Sequence, residues 1–333
     1  MHSKRFFRMS ELIHKKFRLL ILFVEVLVIG LAGCASFDYL TRVTEQFPRA
    51  KQCGKCHVEI YREWSVSDHA EAYVNPHYRQ MTDDYAFGDC LSCHVPQPTV
   101  SDQPPTARSM HLAEGITCVS CHLEEGKLSG PIEPTGKIAP HPIGVRPEFY
   151  NDSIVCGVCH EGTYTEWKSV ESNDKKTCQD CHMSPVRRKV TQGTGGFSNV
   201  IVSLEKETEL KRHDFAVLTT GQEGPSVSFE VQRSGSDIEL VFKNNLPHAL
   251  PTGDFGYRVL VLKISAIDAR GNEVSLKQRE FAKELDNAIL AKGTVRLHLD
   301  TPPKTRAIRI HLVRQSYKED QVLDLMDIEI PLQ

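Results

Sequence analysis

The 333-residue chain has no excess of charge of either sign: 40 Lys and Arg face 43 Asp and Glu, a formal net charge of −3. It therefore carries no basic field of the kind nucleic acid demands. Long hydrophobic runs are also missing. The apolar stretch from Leu19 to Ala32 contains Glu25 and falls short of the roughly 20 apolar residues a spanning helix needs. A multispanning membrane protein is excluded on that ground, and 40% hydrophobic with 25% charged residues excludes a disordered tail. The length allows two domains. No cysteine follows Cys181, yet the chain as a whole holds eleven cysteines and fifteen histidines.

Before Leu19 stand Lys4, Arg5, Arg8, Lys15, Lys16 and Arg18 against Glu11 alone, a positive region ahead of a short apolar one, as in an export signal. The apolar run ends in Leu31-Ala32-Gly33-Cys34, which resembles the lipobox of bacterial lipoproteins. The resemblance implies cleavage before Cys34, acylation of its thiol and new amino group, and a membrane anchor of several acyl chains. Residues 1–33 are read as the signal peptide and 34–47 as a tether. Ala35 and Ser36 lack the aspartate that, in enterobacterial lipoproteins, signals inner-membrane retention, so the expected address is the outer membrane.

The other ten cysteines fall in five copies of one pentapeptide: Cys53-Gly-Lys-Cys56-His57, Cys90-Leu-Ser-Cys93-His94, Cys118-Val-Ser-Cys121-His122, Cys156-Gly-Val-Cys159-His160 and Cys178-Gln-Asp-Cys181-His182. Two thiols three positions apart reach the two vinyl groups of one porphyrin, and the adjacent histidine falls beneath the iron. Zinc explains the pattern poorly, because ribbons pair their Cys-x-x-Cys units, five is odd, and tetrahedral chemistry demands no histidine after each second cysteine. Disulfides within each motif would close small, strained, reducible rings. The expected cofactor is therefore five covalent c-type haems, with His57, His94, His122, His160 and His182 as proximal ligands.

An internal repeat aligns the first motif with the fourth: Cys53-Gly-x-Cys56-His57-x-x-x-Tyr61-x-Glu63-Trp64 matches Cys156-Gly-x-Cys159-His160-x-x-x-Tyr164-x-Glu166-Trp167. Each copy is followed in sequence by another motif, at Cys90 and at Cys178, which suggests two haem-pair units with a fifth haem between them. The chain around the motifs is irregular, with Pro96, Pro98, Pro104 and Pro105 in one loop and a Gly/Pro-rich stretch from Gly126 to Pro147. Short helices over Glu59–Trp64 and Asp68–Tyr73 are expected to pack on porphyrin, leaving residues 48–190 without a core of their own. Gly193, Gly195 and Gly196 mark a linker over 191–225. From Val227 onward alternation predicts strands at Val227–Val231, Ile238–Phe242, Val259–Ile267, Val295–Leu299, Ile308–Leu312 and Ile328–Ile330, with a turn at Ala269–Asn272. The predicted class is α+β: a haem-rich, short-helix domain followed by an immunoglobulin-like β-sandwich over 226–333.

Further blocks carry a family resemblance: Trp64-Ser-x-Ser-x-His69-Ala, Glu114-Gly-Ile-Thr-Cys118, Thr177-Cys-Gln-Asp-Cys-His-Met183, Arg212-His213-Asp-Phe215, and Asn244–Gly253 with its His248-Ala-Leu-Pro-Thr-Gly core. Over residues from about 50 to 265 the chain resembles the multihaem cytochrome c superfamily, in the branch that includes the tetrahaem electron acceptor of hydroxylamine oxidoreductase. The resemblance implies electron transfer as the default function and two histidine ligands for most haems.

With the proximal histidines assigned, His2 and His14 in the signal segment, and His298 and His311 on polar strand faces beside Arg296 and Arg309, six candidates for distal ligation remain. His69, His213 and His248 are favoured because they match the family blocks. His141 is favoured because Ala139-Pro-His-Pro142 restricts its backbone. His77 and His111 compete for the fifth place. If every iron is six-coordinate, the protein is an electron carrier with no catalytic residue. Its partners are then other redox proteins: cytochromes, quinol-linked components, or terminal reductase or oxidase components. An open iron would instead make it an oxidoreductase acting on a small nitrogen or sulfur compound. A third reading makes the β-domain a docking unit of an outer-surface electron-transfer assembly.

Overall fold

The computed structural model describes residues 16, 18–26, 47–99, 103–135, 141–172, 175–192, 204–216, 226–234, 237–253, 258–316 and 322–332. Cys34 with its tetrapeptide and the three linker glycines lie outside them. No helix among the described residues is long and apolar enough to cross a membrane.

Residues 47–216 form short helices and two small sheets. Helix Val58–Ser65 follows the first motif and helix Glu161–Ser169 the fourth. Asp68–Glu71 is a single turn capped by the Ser67 hydroxyl, and Asn75 caps helix Pro76–Met81. The described parts of the Gly/Pro-rich stretch, 126–135 and 141–147, include two strands. Strand β1 (Leu123–Glu124) turns through Glu125 and Gly126, both at positive φ, into antiparallel β2 (Lys127–Gly130), and β3 (Ile143–Val145) adds parallel to β2. Strands β4 (Pro185–Arg188) and β5 (Thr208–Lys211) pair antiparallel, which fastens part of the expected linker onto the motif-bearing region. The apolar core here is slight: Val119 and Leu123, with Phe47 and Leu128 against them.

Residues 226–332 build differently. β6 (Val227–Ser234), β7 (Asp237–Asn244) and β10 (Thr294–Leu299) form one antiparallel sheet with β7 central. β8 (Arg258–Asp268), β9 (Glu273–Phe281), β11 (Thr305–Ser316) and β12 (Val322–Pro331) form a second, in the order β12-β11-β8-β9. Ile238, Leu240 and Phe242 of β7 meet Leu260, Leu262 and Ile264 of β8 and Ile308, Ile310 and Leu312 of β11 in one buried cluster, so the two sheets share a core. Alternation predicted six of these strands. β9 escaped it because it is an edge strand of mostly exposed residues, Val274 among them, with Leu276 half-buried against the core and Phe281 buried at its end.

Candidate functional site

Each Cys-x-x-Cys-His segment closes one helical turn. Cys118–His122 and Cys178–His182 are helices, Leu91–His94 follows a 3-10 turn, and the His57 and His160 amides donate to the Cys53 and Cys156 carbonyls at 2.9 and 3.0 Å. A helical turn puts residues three apart on one face, so both thiols of a motif point the same way. All ten thiols are free, and among the described residues no three His, Cys, Asp or Glu side chains gather as a metal-ion site.

Four of the five motif imidazoles are held from behind. Nδ1 of His57 donates to the Val190 carbonyl (2.9 Å), His94 to Ala72 (2.6 Å), His122 to Ser129 (2.7 Å) and His182 to Ala216 (2.8 Å), leaving Nε2 as the free ligating atom. Opposite four of the five stands a second imidazole. His57 faces His141 at 6.5 Å between ring centres, His122 faces His213 at 6.2 Å, His160 faces His69 at 6.2 Å, and His182 faces His248 at 6.4 Å. An imidazole nitrogen sits about 2 Å from a bound metal and its ring centre about 1.1 Å further back, so two imidazoles on one iron have centres about 6.2 Å apart. The four separations fit one iron between each pair. Burial holds the imidazoles of His57, His94, His122, His141 and His248 below their ordinary pKa, and brings His69 to about 3 and His213 to about 4. They are neutral at pH 7, the form that ligates.

The second motif has different company. Tyr78 lies on the His94 ring at 3.8 Å and within 10° of parallel, and belongs to a group with Tyr73 and Tyr85. Burial raises the Tyr78 phenol to about 12, so it stays protonated. His77 precedes Tyr78 on the same helix, and His111 sits in the left-handed region before a 3-10 turn. Neither belongs to the four pairs.

Thiol neighbours show how the motifs adjoin. Cys53 lies within hydrogen-bonding reach of Cys118, Cys93 of Cys159, and Cys156 of Cys178. Phe215 packs on His69 at 4.3 Å and on His213 at 6.0 Å, joining the third and fourth sites. The sequence suggested units of motifs one with two and four with five; the structure instead matches one with three to four with five. The Trp64 indole donates to the Ile116 carbonyl and the Trp167 indole to the Lys176 carbonyl, each two residues before a motif. Those two motifs open alike, the Thr117 amide donating to Ser120 Oγ and the Thr177 amide to Asp180 Oδ2. The second motif is thus an insertion in the first copy. The common signal, a threonine before the cysteine, was visible in the sequence; the carbonyls that orient the proximal rings were not, since every residue has one.

The family described as cytochrome c554 and c-prime matches residues 52–123, which hold the first three motifs. No curated protein matches the sequence. Among solved structures, a penta-heme cytochrome c552 from Thermochromatium tepidum aligns over 86% of this chain and 99% of its own, with a TM-score of 0.59 and 18% identity. An alkylpurine DNA glycosylase from Pseudomonas fluorescens bound to abasic-site DNA aligns over 33% of this chain and 31% of its own, at 12% identity and a TM-score of 0.15, too low to bear on the fold. The chain has the mixed α+β fold of a multihaem c-type cytochrome.

Proposed function

We propose that this protein is a pentahaem c-type cytochrome that passes electrons between redox partners at the cell envelope. The observation that carries the reading is the set of four histidine pairs at 6.2–6.5 Å, each containing the histidine of an attachment motif. Covalent haem supplies a one-electron iron couple whose potential answers to axial ligation, burial and hydrogen bonding. The chain's part is to hold two imidazoles in line, keep their tautomer with backbone carbonyls, and set the motifs edge to edge. By thiol contact the order runs from motif one to three, through Phe215 to four, and from four to both two and five.

The envelope role rests on sequence: the basic and apolar leader and Cys34, read as a lipid-anchored N-terminus at the outer membrane, with other cytochromes, quinol-linked components or terminal reductases and oxidases as partners. The relation to the acceptor of hydroxylamine oxidoreductase and the immunoglobulin-like class of the β-unit belong to the same proposal. Intact mass of protein matured with cytochrome c assembly machinery should show five haem additions; mass without porphyrin ends the reading. Fractionation of a Cys34→Ser variant should show loss of membrane association, and unchanged association removes the anchor.

A second reading, an oxidoreductase for a small nitrogen or sulfur compound, would draw on the second motif, whose His94 stacks on Tyr78 and stands outside the four histidine pairs. Electron paramagnetic resonance of the oxidised protein decides. Signals from low-spin haem alone support the carrier; a stoichiometric high-spin haem with turnover of nitrite or hydroxylamine supports the enzyme.

A further inference from the structure

We infer that Glu63 and Glu166 are two copies of one positioning residue, each clamping the backbone that delivers a distal histidine: His213 opposite His122 in the first copy, His248 opposite His182 in the second. The inference rests on the haem reading above and assigns it a device that the attachment motifs do not contain.

The two glutamates stand at the same offset from their motifs, one residue before the repeated tryptophan. Glu63 Oε2 accepts the His213 amide at 3.0 Å, and the carboxylate takes both Arg188 guanidinium nitrogens at 2.7 and 2.8 Å. Glu166 Oε2 accepts the Ala249 amide, next to His248, at 2.9 Å and the Thr252 hydroxyl at 2.8 Å, while Oε1 meets Lys283 Nζ at 2.7 Å. Burial works to raise both carboxyls, yet these hydrogen bonds and cations hold both below the ordinary range.

The neighbouring tryptophan completes the logic. Trp64 and Trp167 fasten the chain entering the proximal motif, Cys118 or Cys178, and the adjacent glutamate fastens the chain carrying the distal ligand of that same site. One helical turn therefore grips both sides of one site, and it does so twice. A plain ion pair does not explain the recurrence, because the cations come from unrelated elements: Arg188 from β4, Lys283 from beyond β9. What recurs is the hydrogen bond to the ligand-bearing backbone. A charge-assisted bond of this kind opposes the entropy that would let a loop histidine leave its iron.

The test uses full-length holoprotein, with haem counted first by intact mass; wild type without haem defeats the function reading and leaves nothing for a clamp to hold. With five haems present, Glu166→Ala should add, relative to wild type, one high-spin ferric haem and one equivalent of carbon monoxide bound by the reduced protein. The Glu166→Ala/His248→Ala double variant should add no more than His248→Ala alone. Glu63→Ala should behave the same way with His213→Ala, and Glu63→Ala/Glu166→Ala should add two. Lys283→Met, which removes the cation and spares the clamp, should leave carbon monoxide binding as in wild type. Wild-type binding in Glu166→Ala, additivity with His248→Ala, or equal opening by Lys283→Met would overturn the proposal. Should Glu166→Ala mature without its full haem complement, Glu166→Gln is measured instead. Carbon monoxide association at the affected haem should then rise about tenfold or more, the scale of losing a hydrogen bond to a charged group, and a wild-type rate again overturns it.

Discussion

Glycine follows the first cysteine in two of the five motifs, the two that head the repeat copies, and packing explains why. A Cβ on Gly54 would stand 2.6 Å from Tyr61 Cγ, and one on Gly157 would stand 2.6 Å from Tyr164 Cγ, whereas Gly88 has open space. Because the clash is with the root of a ring and not a flexible tip, Gly54→Ala and Gly157→Ala should each cost about 1–3 kcal/mol of stability. Thermal melts of the holoprotein, with Gly88→Ala as the neutral control, measure this. Charge at single residues obeys the same dependence on surroundings. The Arg188 and Glu63 side chains are 9% and 10% exposed, so Arg188→Met leaves a buried carboxylate with the His213 amide at 3.0 Å and Arg212 at 3.6 Å in place of its bidentate partner, and should lower stability by about 2–3 kcal/mol. Arg296 pairs with Glu239 but is 57% exposed, and Arg296→Met should change the unfolding free energy from urea titration by less than about 1 kcal/mol.

Among the elements, β9 is the one whose sequence serves solubility more than burial. It pairs only with β8 and exposes Glu273, Lys277, Arg279 and Glu280 on its length, charges that blunt a sheet edge against pairing with another chain. Replacing Lys277 and Arg279 together by Val should produce concentration-dependent association visible by light scattering; an unchanged monodisperse solution would show that the edge is protected otherwise. The run of polar residues from Lys277 to Glu280 hid β9 from sequence reading, since it interrupts the alternation between Leu276 and Phe281. β7, β8 and β11 were legible because each sends alternate apolar side chains into the shared core. At the site, the histidines could be named but not paired: which imidazole meets which depends on chain crossings, such as His69 reaching the fourth motif, that leave no local signature. Tyr78 escaped for a related reason, because a tyrosine on a helix reads as ordinary packing until it is seen lying on His94.

At the scale of the molecule, apolar mass is unevenly divided. Residues 226–332 own a large cluster of buried side chains, while 47–216 own the small cluster of Val119 and Leu123 and the scattered buried Ala50, Trp64, Tyr78, Val95 and Tyr150. A variant with all ten motif cysteines changed to Ala should keep β-type circular dichroism and a protease-resistant fragment beginning near Val227, and should lose the order of the preceding segment. Digestion of that segment at the same slow rate as in holoprotein would contradict a haem-dependent fold. On the proposed ligation, the crossing of histidines between repeat copies also sets a chronology for biosynthesis. A polypeptide emerges from its amino end, and of the four paired sites only the fourth has its distal histidine, His69, ahead of its motif. When His160 appears, that site has both its ligands at once. The first must wait for His141 and the third for His213, and the fifth is completed last by His248 from the β-unit. Exported chains truncated before His213 should thus already hold a finished fourth centre while the third is still one ligand short.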